Sequence, residues 1–217
     1  MPKYEFIVVK RINTPTRKLL RKCIPKLDTL LEQTCRYVTR LLYDSPSDTP
    51  TNFHTVRLVV RSMPGGVAYT TDAPSHSKEI HFSVEYFEGV YKNANRNLRR
   101  LRDEIRGVLV HEMVHVLQYS GKNTAPGWFI EGLADFIRLR AELSPPHWFK
   151  RRGGSWTDSY STAAYFLDWV DTTVKPGFLK QMNVSLASNE WQNDIFQRFT
   201  SRSIDGLWNE YQESIQQ

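Results

Sequence analysis

Cysteine is almost absent from this chain: Cys23 and Cys35 are the only two in 217 residues. A scaffold stapled by several disulfides is therefore excluded, and two thiols fix no redox compartment. One continuous helix would hold them roughly 18 Å apart, at about 1.5 Å per residue, beyond disulfide reach. Pro25 can break such a helix, but both thiols read as core groups. Long apolar runs are missing too. No stretch approaches the roughly 20 residues that cross a bilayer, so no membrane span is expected. The first residues, MPKYEFIVVKRINTP, hold neither a long apolar run nor a small-residue cleavage site, and do not read as a signal peptide. There is no internal repeat and no low-complexity tract.

Acidic residues are in deficit: 23 Asp and Glu against 29 Lys and Arg, a net charge of +6. This describes a soluble basic protein, with attraction to acidic polymers as the sharper alternative. The basic clusters RNLRRLR (96–102) and KRR (150–152) are short and sit in no nucleic-acid motif. Nucleic acid is therefore not an expected partner. Oligomeric state is not legible.

What the chain does have is core material: 40% apolar and 12% aromatic residues. That argues for a folded domain. The length favours one domain, or one domain of two lobes. YEFIVVKRI (4–12) and TVRLVVRSM (55–63) read as strands. GGVAYTTD (65–72) and KEIHFSVEYF (78–87) are further strand candidates. In the latter Ile80, Phe82 and Val84 alternate with His81, Ser83 and Glu85. Residues 14–43 have helical spacing, interrupted at Pro25, and 44–52 form a loop. A long helix is expected over about 95–120, charged at its start, apolar later, and closed by Gly121. Further helices are expected over 128–143, stopped by Pro145 and Pro146, and over 160–174, with two more to the C-terminus. Strands early and helices late predict an α+β fold. The expected organisation is a single domain over 1–217, with a sheet-containing lobe (1–120) and a helical lobe (121–217).

Chemistry concentrates at LVHEMVHVLQ (109–118). Residues four apart on a helix differ by about 40° in direction, so His111 and His115 point the same way. Two such imidazoles can bind one Zn²⁺. Glu112 lies about 100° round the helix, beside the metal, placed to take a proton from water without ligating. The plain alternative is three polar groups satisfied inside a core, but burying them in an apolar helix half is costly without partners. A catalytic zinc needs a third protein ligand and one open position. The metzincin pattern needs Gly at 118 and His at 121; the chain has Gln118 and Gly121. The segment IEGLADF instead offers Glu131 as the carboxylate ligand. Asp135, one turn later on the same face, can hold a zinc histidine by its outer N–H. Asp135 as the ligand remains the alternative.

HEMVH followed by APGWFIEGLADFIRLRA resembles the basic secretory protein family, a peptidase family of plants and bacteria grouped with the zincins of gluzincin type. AYTTD…KEIHFSVEYF, PPHWF (145–149), YSTAAYFLDWV (160–170) and DGLWNEYQ (205–212) are similar to other segments of that family, so the resemblance spans most of the chain. It implies a zincin-like fold and a zinc-dependent metallopeptidase acting on peptides or proteins. It also implies secretion, from which this sequence departs by showing no leader, so localisation stays open. The Glu131–Gly132 turn resembles the third-ligand segment of large zinc aminopeptidases. Their glutamate-bearing strand motif is not evident in GGVAYTTD, which favours an endopeptidase.

In the expected mechanism Zn²⁺ on His111, His115 and Glu131 lowers the pKa of water toward about 7. Glu112 takes the proton and returns it to the leaving amine. Tyr160 is the candidate oxyanion donor, with His147 its rival. It follows a flexible RRGGSW loop and opens a helix, where aminopeptidase-like gluzincins place a similar tyrosine. His54, His76 and His81 fall outside ligand spacing. The strand over 78–85 is expected to pair with extended substrate. NVS (183–185) is a glycosylation acceptor if the chain is secreted. Two competing functions stand beside the peptidase: a non-catalytic basic zinc protein binding polyanions or cell-wall material, and a nuclear protease acting on nucleic-acid-bound proteins.

Overall fold

Apolar residues at alternate positions open the central strand, and Val59 extends them into a run buried on both faces. In β2 (Thr55–Arg61) Val56, Leu58 and Val60 are buried while Thr55, Arg57 and Arg61 are half-buried. The computed structural model describes residues 4–158 and 160–215. It divides into two compact units, 1–39 with 49–117, and 40–48 with 118–217. Strands and helices mix as an α+β fold.

The first unit carries the sheet, ordered β1 (Glu5–Arg11), β2, β4 (Ser77–Ser83), β3 (Ala68–Ala73). β1 and β4 both run parallel to β2, and β3 is antiparallel to β4. Parallel β1 and β2 need a crossover, supplied by α1 (Thr14–Cys23) and α2 (Leu27–Leu42). Pro25 ends α1 and separates the two helices. Cys23 and Cys35 are both free and buried, and burial pushes the Cys35 thiol up to about 11. They are inert core groups, as expected.

The strand expected over 78–87 stops at Ser83, and Val84 opens α3 (Val84–Asn93). Ser83 caps this helix: its hydroxyl accepts from Tyr86 N at 3.2 Å and donates to the Met63 carbonyl at 2.9 Å. Val84 and Phe87, three apart, are the buried pair, so the helical period wins over the alternation. Glu85 accepts from the Met63 N–H and the Ser62 hydroxyl, and these bonds hold its carboxyl down at about 2. The expectation that 78–85 pairs with substrate is also corrected. β4 lies between β2 and β3 with both edges hydrogen-bonded, and β3 is the edge strand on that side.

The long helix is α4, Leu98–Leu117, shorter than expected at both ends. Asn95 and Arg96 have positive φ, and the Asn97 side chain accepts from Arg99 N and Arg100 N, which caps the helix there. Gly121 is not its terminator but lies four residues beyond. Its φ is +59°, and a Cβ would meet Leu186 Cδ2 at 2.9 Å and Trp191 N at 3.1 Å, so only glycine fits that turn.

The second unit is helical: α5 (Gly127–Arg140), α6 (Ser161–Trp169) running into a π turn (Val170–Val174), α7 (Phe178–Ser185), α8 (Ile195–Thr200) and α9 (Ile204–Ser214). α5 ends before the prolines, where Glu142 adopts φ 57°. Among the described residues three helices follow the π turn, one more than expected; short α8 is held by an aromatic core around Phe166, Phe178 and Phe196. Asn183 is fully buried. Its Oδ1 accepts from Tyr119 N at 3.0 Å, so NVS is no glycosylation site in the folded chain. No helix among the described residues is long and apolar enough to cross a membrane.

Candidate metal centre

From Gly107 to Leu117, α4 is buried at every position except His111 and His115, which are half-buried. The helix thus hides its aliphatic residues and leaves one accessible strip, occupied by two imidazoles one turn apart. Their Nε2 atoms face each other at 3.0 Å, with ring centroids 4.7 Å apart. Two nitrogens bound to one tetrahedral zinc at about 2.05 Å would be about 3.4 Å apart, so the observed pair is within a few tenths of an ångström of that arrangement. One ligand atom from each of His111, His115 and Glu131 falls within 4.8 Å of the others. The spacing of HEMVH and the IEG turn therefore named a set that the fold brings together. Two imidazoles and one carboxylate form an N₂O donor set, and this group could hold a metal ion.

Glu112 is 4% exposed, on the flank of the helix beside the histidines. Its Oε2 accepts a hydrogen bond from Thr70 Oγ1 at 2.8 Å, and the same hydroxyl lies 3.1 Å from the Glu112 carbonyl oxygen. Thr70 is on β3, the edge strand, which packs along α4. Nothing in the residue pattern singles out this threonine beyond marking its segment as a strand. The contact fixes one carboxylate oxygen of Glu112.

Glu131 lies in the second turn of α5 and is half-buried; Asp135, one turn later, is 2% exposed. Between them Gly132 marks a tight crossing of α5 and α6. A Cβ there would meet the Ala163 Cβ at 2.8 Å and Leu167 Cδ1 at 3.2 Å. Gly in a helix interior ordinarily costs about 0.5–1 kcal/mol relative to Ala, so a substitution elsewhere would stabilise. Here the sign reverses. Gly132→Val is expected to destabilise by about 1–3 kcal/mol through overpacking, read by urea denaturation. It should also weaken metal binding, because Glu131 is the adjacent residue. Unchanged stability would contradict so tight a crossing.

Tyr160 caps α6 with φ 63° and ψ −131°, and is 59% exposed. Non-glycine residues in that region cost about 1–3 kcal/mol and persist where their surroundings impose it. One turn later, Ala163 presses on Gly132, next to Glu131. His147 is exposed in the turn after α5, where Trp148 stacks under Arg138 at 5.3 Å. His81 is engaged by its neighbours: Arg61 Nε donates to its Nδ1 at 3.0 Å, and burial lowers its pKa. His54 and His76 are exposed with rings 5.9 Å apart. None of these three belongs to the three-ligand group.

The family described as "Peptidase of plants and bacteria" matches this chain over residues 5–211. The chain belongs to that family. The match takes in both compact units, with the HEMVH helix and the Glu131 helix inside it. A peptide or protein is thus the substrate class that this peptidase family implies. Neither a curated protein nor a solved structure matches the chain.

Proposed function

We propose that this member of the peptidase family is a zinc-dependent endopeptidase with a zincin-like fold of gluzincin type. The observation that carries the reading is the convergence of His111, His115 and Glu131, with Glu112 buried next to the first histidine. Three ligands of this type with one position free match catalytic rather than structural zinc sites. A zinc ion held there supplies Lewis acidity toward a carbonyl and lowers the pKa of a water.

The chain's own residues do the rest. Glu112, oriented by Thr70, accepts the proton of the attacking water and delivers it to the amine that leaves. Asp135 holds a ligand histidine in the required tautomer. Tyr160 donates its phenol hydrogen bond to the oxygen on which negative charge grows, with its strained backbone as support. β3 offers its free edge to an extended substrate by strand addition, and Thr70 ties that edge to Glu112. An open strand edge of this kind suits cleavage within a chain.

The test is elemental analysis of purified protein combined with digestion of casein and a peptide library, with and without chelator. Expected are about one zinc per chain, internal cleavages, loss of cleavage on chelation and its return on adding zinc. Cleavage that persists at full strength after the metal is stripped would defeat the reading.

A further inference from the structure

Two basic segments far apart in sequence meet in the first unit. α1, TPTRKLLRKC, carries Arg17, Lys18, Arg21 and Lys22, all exposed, with no acidic residue. On α4, Arg99, Arg102 and Arg106 are exposed and spaced i, i+3, i+7. They lie within about 60° of one another and along about 10.5 Å of helix, at 100° and 1.5 Å per residue. Arg102 joins the two helices: its Nε donates to the Cys23 carbonyl at the end of α1, at 3.0 Å. Cys23 Sγ also lies 3.7 Å from the Leu98 carbonyl. The last turn of α1 is therefore docked on the first turns of α4. Among the described residues none of Lys18, Arg21, Lys22, Arg99 and Arg106 is in an ion pair, whereas Arg100 is spent on buried Glu104. Asp103, half-buried, lies about 40° round α4 from Arg99, on the flank of the stripe.

We propose that this joint between α1 and α4 is a docking surface for the phosphate backbone of double-stranded nucleic acid. The sequence alone argued against such a partner, because RNLRRLR is short; the fold doubles the cluster by bringing α1 to it. Arginine dominates the α4 stripe, and its planar fork suits paired phosphate oxygens. The exposed large apolar residues, Val67, Tyr69, Phe149 and Tyr160, all lie off α1 and α4. Bases thus have no stacking platform there, which disfavours single strands. A membrane-lying helix buries an accessible apolar face, whereas Leu20, Leu101 and Ile105 are committed to the core. Contacts of this kind are independent of base sequence. The surface does not depend on the peptidase chemistry.

The experiment is fluorescence anisotropy of a labelled 20-base-pair duplex with the full chain, titrated with NaCl from 50 mM. Five cations, Arg21, Lys22, Arg99, Arg102 and Arg106, predict a slope of log K against log salt of about −4 to −5. Replacing Arg21, Arg99 and Arg106 with Gln should make the slope shallower by about 3. The same charge change at Lys122, Lys150 and Arg152 should leave it in place. Casein cleavage should be equal in both variants. If the first variant melts early, Arg21→Gln with Lys22→Gln carries the same test, with a change of about 2. Absence of binding at 50 mM NaCl overturns the proposal. So does an equal effect of the two triple variants, tighter binding to a 20-base single strand, or binding to phosphatidylserine vesicles but not to the duplex.

Discussion

Glu112→Gln should lower kcat/KM on a peptide substrate by about 10²–10⁴-fold, the range for loss of a positioned general base. The glutamine keeps the shape of the carboxylate and can still meet the Thr70 hydroxyl, which lies 2.8 Å from Oε2 in the parent. It cannot take a proton. Metal content and melting temperature should therefore match the parent, with the loss in kcat rather than KM. Thr70→Val should act in the same direction and more weakly, since it frees the carboxylate without removing it. The two effects should be less than additive, because both changes act through one group. Parent-rate cleavage by the Glu112 variant would remove this residue from the mechanism.

His115→Ala should abolish both metal binding and cleavage, which separates it from Glu112→Gln. One ligand of three is lost, and the remaining imidazole and carboxylate cannot hold a tetrahedral ion at comparable strength. The melting temperature should cease to rise with added zinc. In the parent, zinc at 1,000 times its Kd would stabilise the fold by about 4 kcal/mol. A paired comparison assigns the carboxylates. Glu131→Ala should behave like His115→Ala, whereas Asp135→Ala should weaken metal affinity by about 10–100-fold and leave a measurable site. The reverse pattern, with zinc retained in Glu131→Ala and lost in Asp135→Ala, would make Asp135 the ligand. Elemental analysis and thermal melts with added zinc read all three variants.

Much of this centre is legible in the order of the residues. HEMVH carries its geometry locally, because one helical turn is enough to align His111 with His115. Glu131 is legible for a similar reason: its helix follows within a short loop, and an acidic residue in a largely apolar segment demands a partner. Thr70 is not legible. It touches Glu112 across 42 positions of sequence, and a threonine in a strand has no distinguishing pattern. The end of β4 at Ser83 escapes a reading by alternation, because Val84 continues a pattern that the capping hydroxyl and Phe87 override.

Local spacing aligns His111 with His115, because helical periodicity needs only neighbours in the chain; that a Glu131 oxygen, rather than one from Asp135, joins them within 4.8 Å is a matter of tertiary structure. Local spacing also settles that strands come first and helices later, since apolar patterning is written residue by residue. Packing is what makes β3 rather than β4 the free edge, because strand order depends on pairings between distant segments. Packing is also why Gly132 must remain glycine, since the obstacle is Ala163 on another helix. The cations of α1 and α4 gather at one joint for the same reason: charge is a property of residues, but a charged surface is made only when the fold sets them side by side.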